Sequence, residues 1–295
     1  MTPATTRATV ESQGLDGLIA FAANGDIYLV KPSGAGLRRV THGADDDFSP
    51  SWFPDMRHVA FRRASPNGPA GRTAIYQARL DGSDIHEASL PQDAEDLTWS
   101  PDGSKIAYSG GLPDDHDSKG DILVVDGDGS NPRRVAGWDD STDEFLSWSP
   151  DGTEIVFASN HGLASDEVRT LWVTSLKDSR TRPLTRLQET PYYTTDVHPG
   201  WSPDGKTIVF QSNRGTGNSR GVTVWLVDRD GKNLRRLMDA SGEFPSWSPD
   251  GRHIAVGGTH GVTIVDARGG DARTIATELG YTAFPVWSTY PQDTP

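Results

Sequence analysis

The chain contains no cysteine among its 295 residues, so disulfides, thiolate metal ligands and thiol nucleophiles are excluded. No stretch is apolar for long enough to cross a bilayer, and the opening residues MTPATTRATVESQG carry no apolar core of the kind an export signal needs. The expected location is therefore the cytoplasm, in soluble form. Basic residues are in deficit: 28 Lys and Arg stand against 41 Asp and Glu, a net charge of −13. That field repels phosphate backbones, which argues against nucleic acid and favours cations, basic peptides or amine-bearing molecules. Helical Ala/Leu/Glu periodicity is scarce too, whereas 32 glycines and 20 prolines fit short strands joined by many turns.

What is present is a repeat. Variants of apolar-Trp-Ser-Pro-Asp-Gly followed by a β-branched run are centred on Trp52, Trp99, Trp148, Trp201, Trp247 and Trp287, spaced 47, 49, 53, 46 and 40 residues apart. A period of roughly 40–50 residues built from short strands is that of a four-stranded propeller blade. In the third copy, Phe145–Trp148 reads as a first strand and Ser149-Pro150-Asp151-Gly152 as a tight turn. Proline presets φ there and glycine accepts the positive φ that closes the hairpin. Glu154–Ala158, Thr170–Val173 and Arg182–Thr185 read as the second, third and fourth strands. Met56 stands where the other turns have glycine, so that turn must differ or carry strain.

The two ends complete each other. Residues 18–41 supply second, third and fourth strands, and Thr282–Ser288 supply a first strand with nothing after it. Joined, they form a sixth blade and remove the open edges. The expected fold is all-β: a six-bladed β-propeller of four-stranded antiparallel blades with one-plus-three ring closure. It is expected over residues 17–289, with a flexible tail at 1–16 and a short one at 290–295.

At its Trp-Ser-Pro-Asp-Gly copies, and at Ser212-Asn213-Arg214 after a second strand, the chain resembles the TolB-type, WD40-like propellers of the PD40 repeat family. The resemblance covers about residues 17–289 and implies the propeller fold and a habit of binding proteins or peptides. Relatives include TolB, which binds a lipoprotein partner, and propellers fused to peptidases of the prolyl oligopeptidase type. Gly217-Asn218-Ser219-Arg220-Gly221 matches a G-x-S-x-G pattern but lies between two strands of one blade. A nucleophile elbow needs a strand-to-helix turn, so the match is coincidental.

Strand connections alternate between the two faces of the ring, one carrying short hairpins and the other long loops. The loop-rich face is expected to hold the site. Acids just before first strands (Asp47, Glu95, Asp96, Glu144, Asp196 and Glu243) are expected to converge at the channel mouth as a ligand-binding set. Arg214 joins them as a ligand contact, with Trp138 and Tyr193 as loop aromatics. His116, His161, His198 and His260, each from a different blade, form a candidate metal set for Ca²⁺ or a transition metal. Asp126-Gly127-Asp128-Gly129 is a hairpin turn rather than a calcium loop, lacking the ligand spacing such loops need.

The leading functional expectation is a monomeric binding module. Its acidic face and channel mouth would capture a protein, peptide or cationic small molecule, with no nucleic-acid or membrane partner. The alternative is a metal-dependent small-molecule enzyme (a lyase, hydrolase or cyclase) using imidazole and carboxylate at the channel mouth.

Overall fold

The computed structural model describes residues 17–64, 73–88, 94, 96–111, 120–163, 165, 167–187, 194–215, 221–238 and 241–288. Glu95, His116, Tyr193 and both tails lie outside them. Six four-stranded antiparallel sheets follow one another around a central channel. Their innermost strands are Asp46–Trp52, Leu97–Trp99, Asp143–Trp148, Asp196–Trp201, Glu243–Trp247 and Ala283–Trp287, taken here as blades 1 to 6. Blade 6 is composite. Ala283–Trp287 pairs with Ile19–Ala23, which continues into Asp26–Val30 and Arg38–Arg39. The closure is sealed where Ser288 N donates to Leu18 O at 2.8 Å and Leu18 N to Ser288 Oγ at 2.9 Å.

The repeated motif has a chemical logic. In four copies the serine hydroxyl donates to the aspartate two residues on, at 2.6–2.7 Å, and the same Oγ accepts a backbone N–H five residues on. The aspartate then accepts the N–H two residues beyond itself, an Asx turn. These hydroxyl bonds hold the Asp102 and Asp151 carboxyls down at about 2. Glycine takes φ near +70° at Gly103, Gly152, Gly205 and Gly251. Met56 holds the same turn at φ 54°, so the strain alternative is the correct one for that copy.

There is no single core. Six apolar wedges each join two neighbouring blades. Between blades 3 and 4, for example, Val156, Leu171 and Val173 meet Trp201, Ile208 and Phe210. Second strands face a neighbour on both sides, Ile155 and Phe157 towards blade 2 and Val156 and Ala158 towards blade 4. This explains their continuous apolar runs. The repeated tryptophan fills each wedge near the channel. The indoles of Trp52, Trp148 and Trp247 donate to the carbonyls of Val286, Thr98 and Gly200 on the preceding blade, at 3.0–3.2 Å. On the outer rim, Arg38, Arg182 and Arg235 reach the carbonyls of Leu80, Arg229 and Ala267 on the following blade. These arginines also put charge on the short outer strands, which discourages edge-to-edge pairing.

Candidate functional site

The channel is shaped by a bulge repeated in the innermost strands. Pairing with the second strand slips between Phe48 and Ser51, Glu144 and Ser147, Val197 and Gly200, and Glu243 and Ser246. The residue three before five of the six repeated tryptophans is left-handed: Ser49, Phe145, His198, Phe244 and Phe284 have φ between 49° and 54°, while Asp96 before Trp99 does not share it. For bulky side chains this conformation costs on the order of 1–2 kcal/mol each. In four of the five the next residue is proline (Pro50, Pro199, Pro245, Pro285), which has no N–H to lose at an unpaired bulge position. The bulge turns these side chains into the channel. Rings from four successive blades then touch: Phe145 and His198 centroids lie 4.0 Å apart, His198 and Phe244 4.6 Å, and Phe244 and Phe284 3.9 Å. At the corresponding positions blades 1 and 2 place Ser49 and Asp96. Partly buried His198 also meets the Phe284 ring edge-on at 6.0 Å and makes no hydrogen bond among the described residues, and burial pushes its imidazole down to about 3.

This collar sits near the loop-rich end of the channel. Beneath it a hollow of about 860 Å³ extends to the Ser-Pro turns, bounded there by Pro101, Pro150, Pro203 and Pro249. The hairpin face, though it carries only short turns, therefore opens onto this hollow. The bulge swings side chains inwards at the loop end, while at the other end the tryptophans turn away into the wedges.

The acids expected to gather at the mouth are mostly engaged elsewhere. Asp47, 3% exposed, receives Arg63 through Nε at 2.6 Å and Nη2 at 2.8 Å. Asp196 is fully buried and accepts Arg214 Nε at 2.8 Å, with Ser212 and Thr185 hydroxyls at 2.7 Å. Arg214, 2% exposed, also donates to Arg186 O. These residues are corrected from ligand contacts to ion pairs within their blades. Glu144 meets Arg169 at 3.1 Å. Glu243 accepts from the Tyr281 hydroxyl at 2.7 Å, and burial together with that contact pushes the phenol up to about 12. Asp96 accepts the Phe145 N–H at 3.0 Å and lines the hollow, as does His198.

The described histidines are not brought together. His161 stacks on Trp138 at 3.9 Å and lies 3.3 Å from Asp140, His198 is in the collar, and His260 contacts Thr259. Among the described residues no group of three or more His, Asp or Glu side chains is placed to hold a metal. As placed, those three do not form a metal set, since each is held by different neighbours: Trp138, the collar rings and Thr259. Trp138 packs edge-on against Trp172 at 5.0 Å, so it belongs largely to the wedge between blades 2 and 3.

Blade 3 departs from blade 4 in one telling way. Ser159-Asn160-His161 stands where blade 4 has Ser212-Asn213-Arg214, so buried Asp143 has no guanidinium. Burial, with Asp121 nearby, pushes its carboxyl up to about 6, and its Oδ2 has no hydrogen-bond partner among the described residues. The folded chain thus holds this proton more tightly than the unfolded chain does. The ionised form is a cost at neutral pH that disappears as pH falls through 6 towards 4. Asp143→Asn is expected to stabilise the protein by about 1–2 kcal/mol near pH 7. Its advantage in melting temperature over the wild type should shrink as pH is lowered to 5. Calorimetry at both pH values checks this, and a pH-independent gap would refute it.

Six blades closed one-plus-three around a collared channel define the chain as a six-bladed β-propeller. A sequence model of the TolB β-propeller domain, PD40, matches residues 18–166, half of the chain, and the protein belongs to that family. TolB of the Tol-Pal system from Sphingopyxis alaskensis is 33% identical over 75 residues, 25% of this chain and 16% of that protein. The uncharacterized peptidase YuxL of Bacillus subtilis is 28% identical over 210 residues, 71% of this chain and 28% of that one. The matched segments thus span well under half of either relative. The crystal structure of TolB from Acinetobacter baumannii superposes with a TM-score of 0.69 at 20% identity, covering 92% of this chain and 66% of that one, a likeness of fold.

Proposed function

We propose that the protein is a binding propeller that takes a protein or peptide partner at the loop-rich mouth of its channel, with the collar rings as anchors. The observation that carries this reading is the choice of Phe145, His198, Phe244 and Phe284 for left-handed backbone positions. Such positions ordinarily favour Gly, Asn, Asp or His, so the three phenylalanines are the unusual choice. A strained bulky side chain at a channel mouth is motivated by what it touches. Aromatic residues are also the usual anchors of protein interfaces. Membership of the TolB propeller family supports the same reading.

The expectation of an acid-driven face is narrowed, since Asp47, Glu144 and Asp196 are neutralised within their blades. Anchoring is apolar, so affinity should change little with salt. The test begins with proteins captured on the immobilised propeller from extracts of the producing cells. The partner is then purified and titrated by calorimetry against the wild type and a Phe244→Ala/Phe284→Ala variant. A loss of about thirtyfold or more is expected for paired anchors. Equal affinity for both proteins, or a steep fall with salt, would overturn the reading.

A further inference from the structure

The hollow below the collar suits a different kind of ligand from a docked protein. At about 860 Å³ it falls within the roughly 300–1,000 Å³ typical of small-molecule sites. Its wall at collar level is made of the Phe145, Phe244 and Phe284 rings, the His198 imidazole and the Asp96 carboxylate. We propose that this hollow binds a small organic ammonium ion, its charge held among the phenyl rings and the Asp96 carboxylate.

Each group at that level has the same electrical preference. Phenyl faces attract a cation through the ring quadrupole. A partly buried carboxylate beside apolar rings attracts it more strongly than one in bulk water. His198 adds no opposing charge, because its imidazole stays neutral at any physiological pH, and it makes no hydrogen bond among the described residues. Two other charged side chains line the hollow. Asp102 lies at the turn end, bonded to Ser100 and Ser104. Arg62 lies in the seam between blades 1 and 2. Its Nη2 donates to Thr73 Oγ1 at 2.8 Å and its guanidinium lies 5.3 Å from the Phe48 ring centre. The lining therefore sums to one negative charge, within a chain of net charge −13. An anion of the same size would face the carboxylate and the ring faces, and a neutral molecule would gain packing alone.

The test compares three molecules of nearly equal shape near neutral pH: 2-phenylethylammonium, 2-phenylethanol and 3-phenylpropanoate. All six repeated tryptophans line the hollow, so their fluorescence reports occupancy directly, with calorimetry alongside. The ammonium is expected to bind at least tenfold more tightly than the alcohol, and the carboxylate weakest of the three. Asp96→Asn should remove that preference while leaving the alcohol unchanged. Because Asp96 also accepts a backbone N–H, Phe244→Leu provides a second variant that stays apolar while removing the ring face. It should weaken the ammonium about threefold or more and spare the alcohol. Equal binding of ammonium and alcohol, no saturable binding of the ammonium by about 10 mM, or a preference that survives both variants would overturn the proposal. The loop-face reading is decided by partner titration, so failure of either leaves the other standing.

Discussion

A chain ending at Gly280 is expected to lose its cooperative thermal transition and to aggregate. The deletion removes the innermost strand of blade 6, and with it Trp287, 3% exposed, and Val286 and Phe284 beside it. Full burial of a large side chain contributes about 1.5–3 kcal/mol, which applies to Trp287, while half-buried Val286 and Phe284 add smaller amounts. Set against a whole stability of about 5–15 kcal/mol for an ordinary domain, that is a large share. The loss spreads beyond one blade. Trp52 in blade 1 forfeits the Val286 carbonyl that accepts its indole N–H, and Ile19–Ala23 becomes an exposed edge strand open to pairing with other chains. Calorimetry and size-exclusion chromatography of the truncated chain decide the matter. A compact monomer with an unchanged melting temperature would mean that the ring does not depend on its composite blade.

Arg214→Ala is expected to cost about 3–5 kcal/mol, because it strands the fully buried Asp196 carboxylate without its counter-charge. For a chain of this size that is a fall in melting temperature on the order of 10 °C. Adding Asp196→Asn in the same chain should recover part of the loss, since no charge then remains to be buried. The recovery separates a stranded charge from simple loss of packing. If the double variant melts no higher than Arg214→Ala alone, the pair is not what stabilises blade 4. The corresponding change at Arg63 should cost less, because its side chain is 14% exposed against 1% for Arg214.

The fold was readable because its signals are local. Each Ser-Pro-Asp-Gly turn closes a network of hydroxyl and carboxylate bonds within six residues, and the Trp beside it marks one wedge. Ring closure was readable for the same reason: residues 18–41 and 282–288 are fragments of one phrase. The candidate site was less legible because its determinants are not adjacent in the chain. Asp47 and Asp196 read as mouth acids until Arg63 and Arg214, sixteen and eighteen residues away, are seen to cover them. Phe145, His198 and Phe244 give no sign of positive φ on their own. The usable signal was the proline two residues before Trp52, Trp201, Trp247 and Trp287, since proline inside a strand marks a bulge. Aligning the copies on tryptophan would have put Ser49, Asp96, Phe145, His198, Phe244 and Phe284 in one column, the collar itself.

The bond between Leu18 and Ser288 also governs how the propeller can be tethered. Leu18 and Ser288 meet at one spot, on the side where the hollow opens between the Ser-Pro turns. A module joined directly at Leu18 or Ser288 would therefore start from the side opposite the long loops.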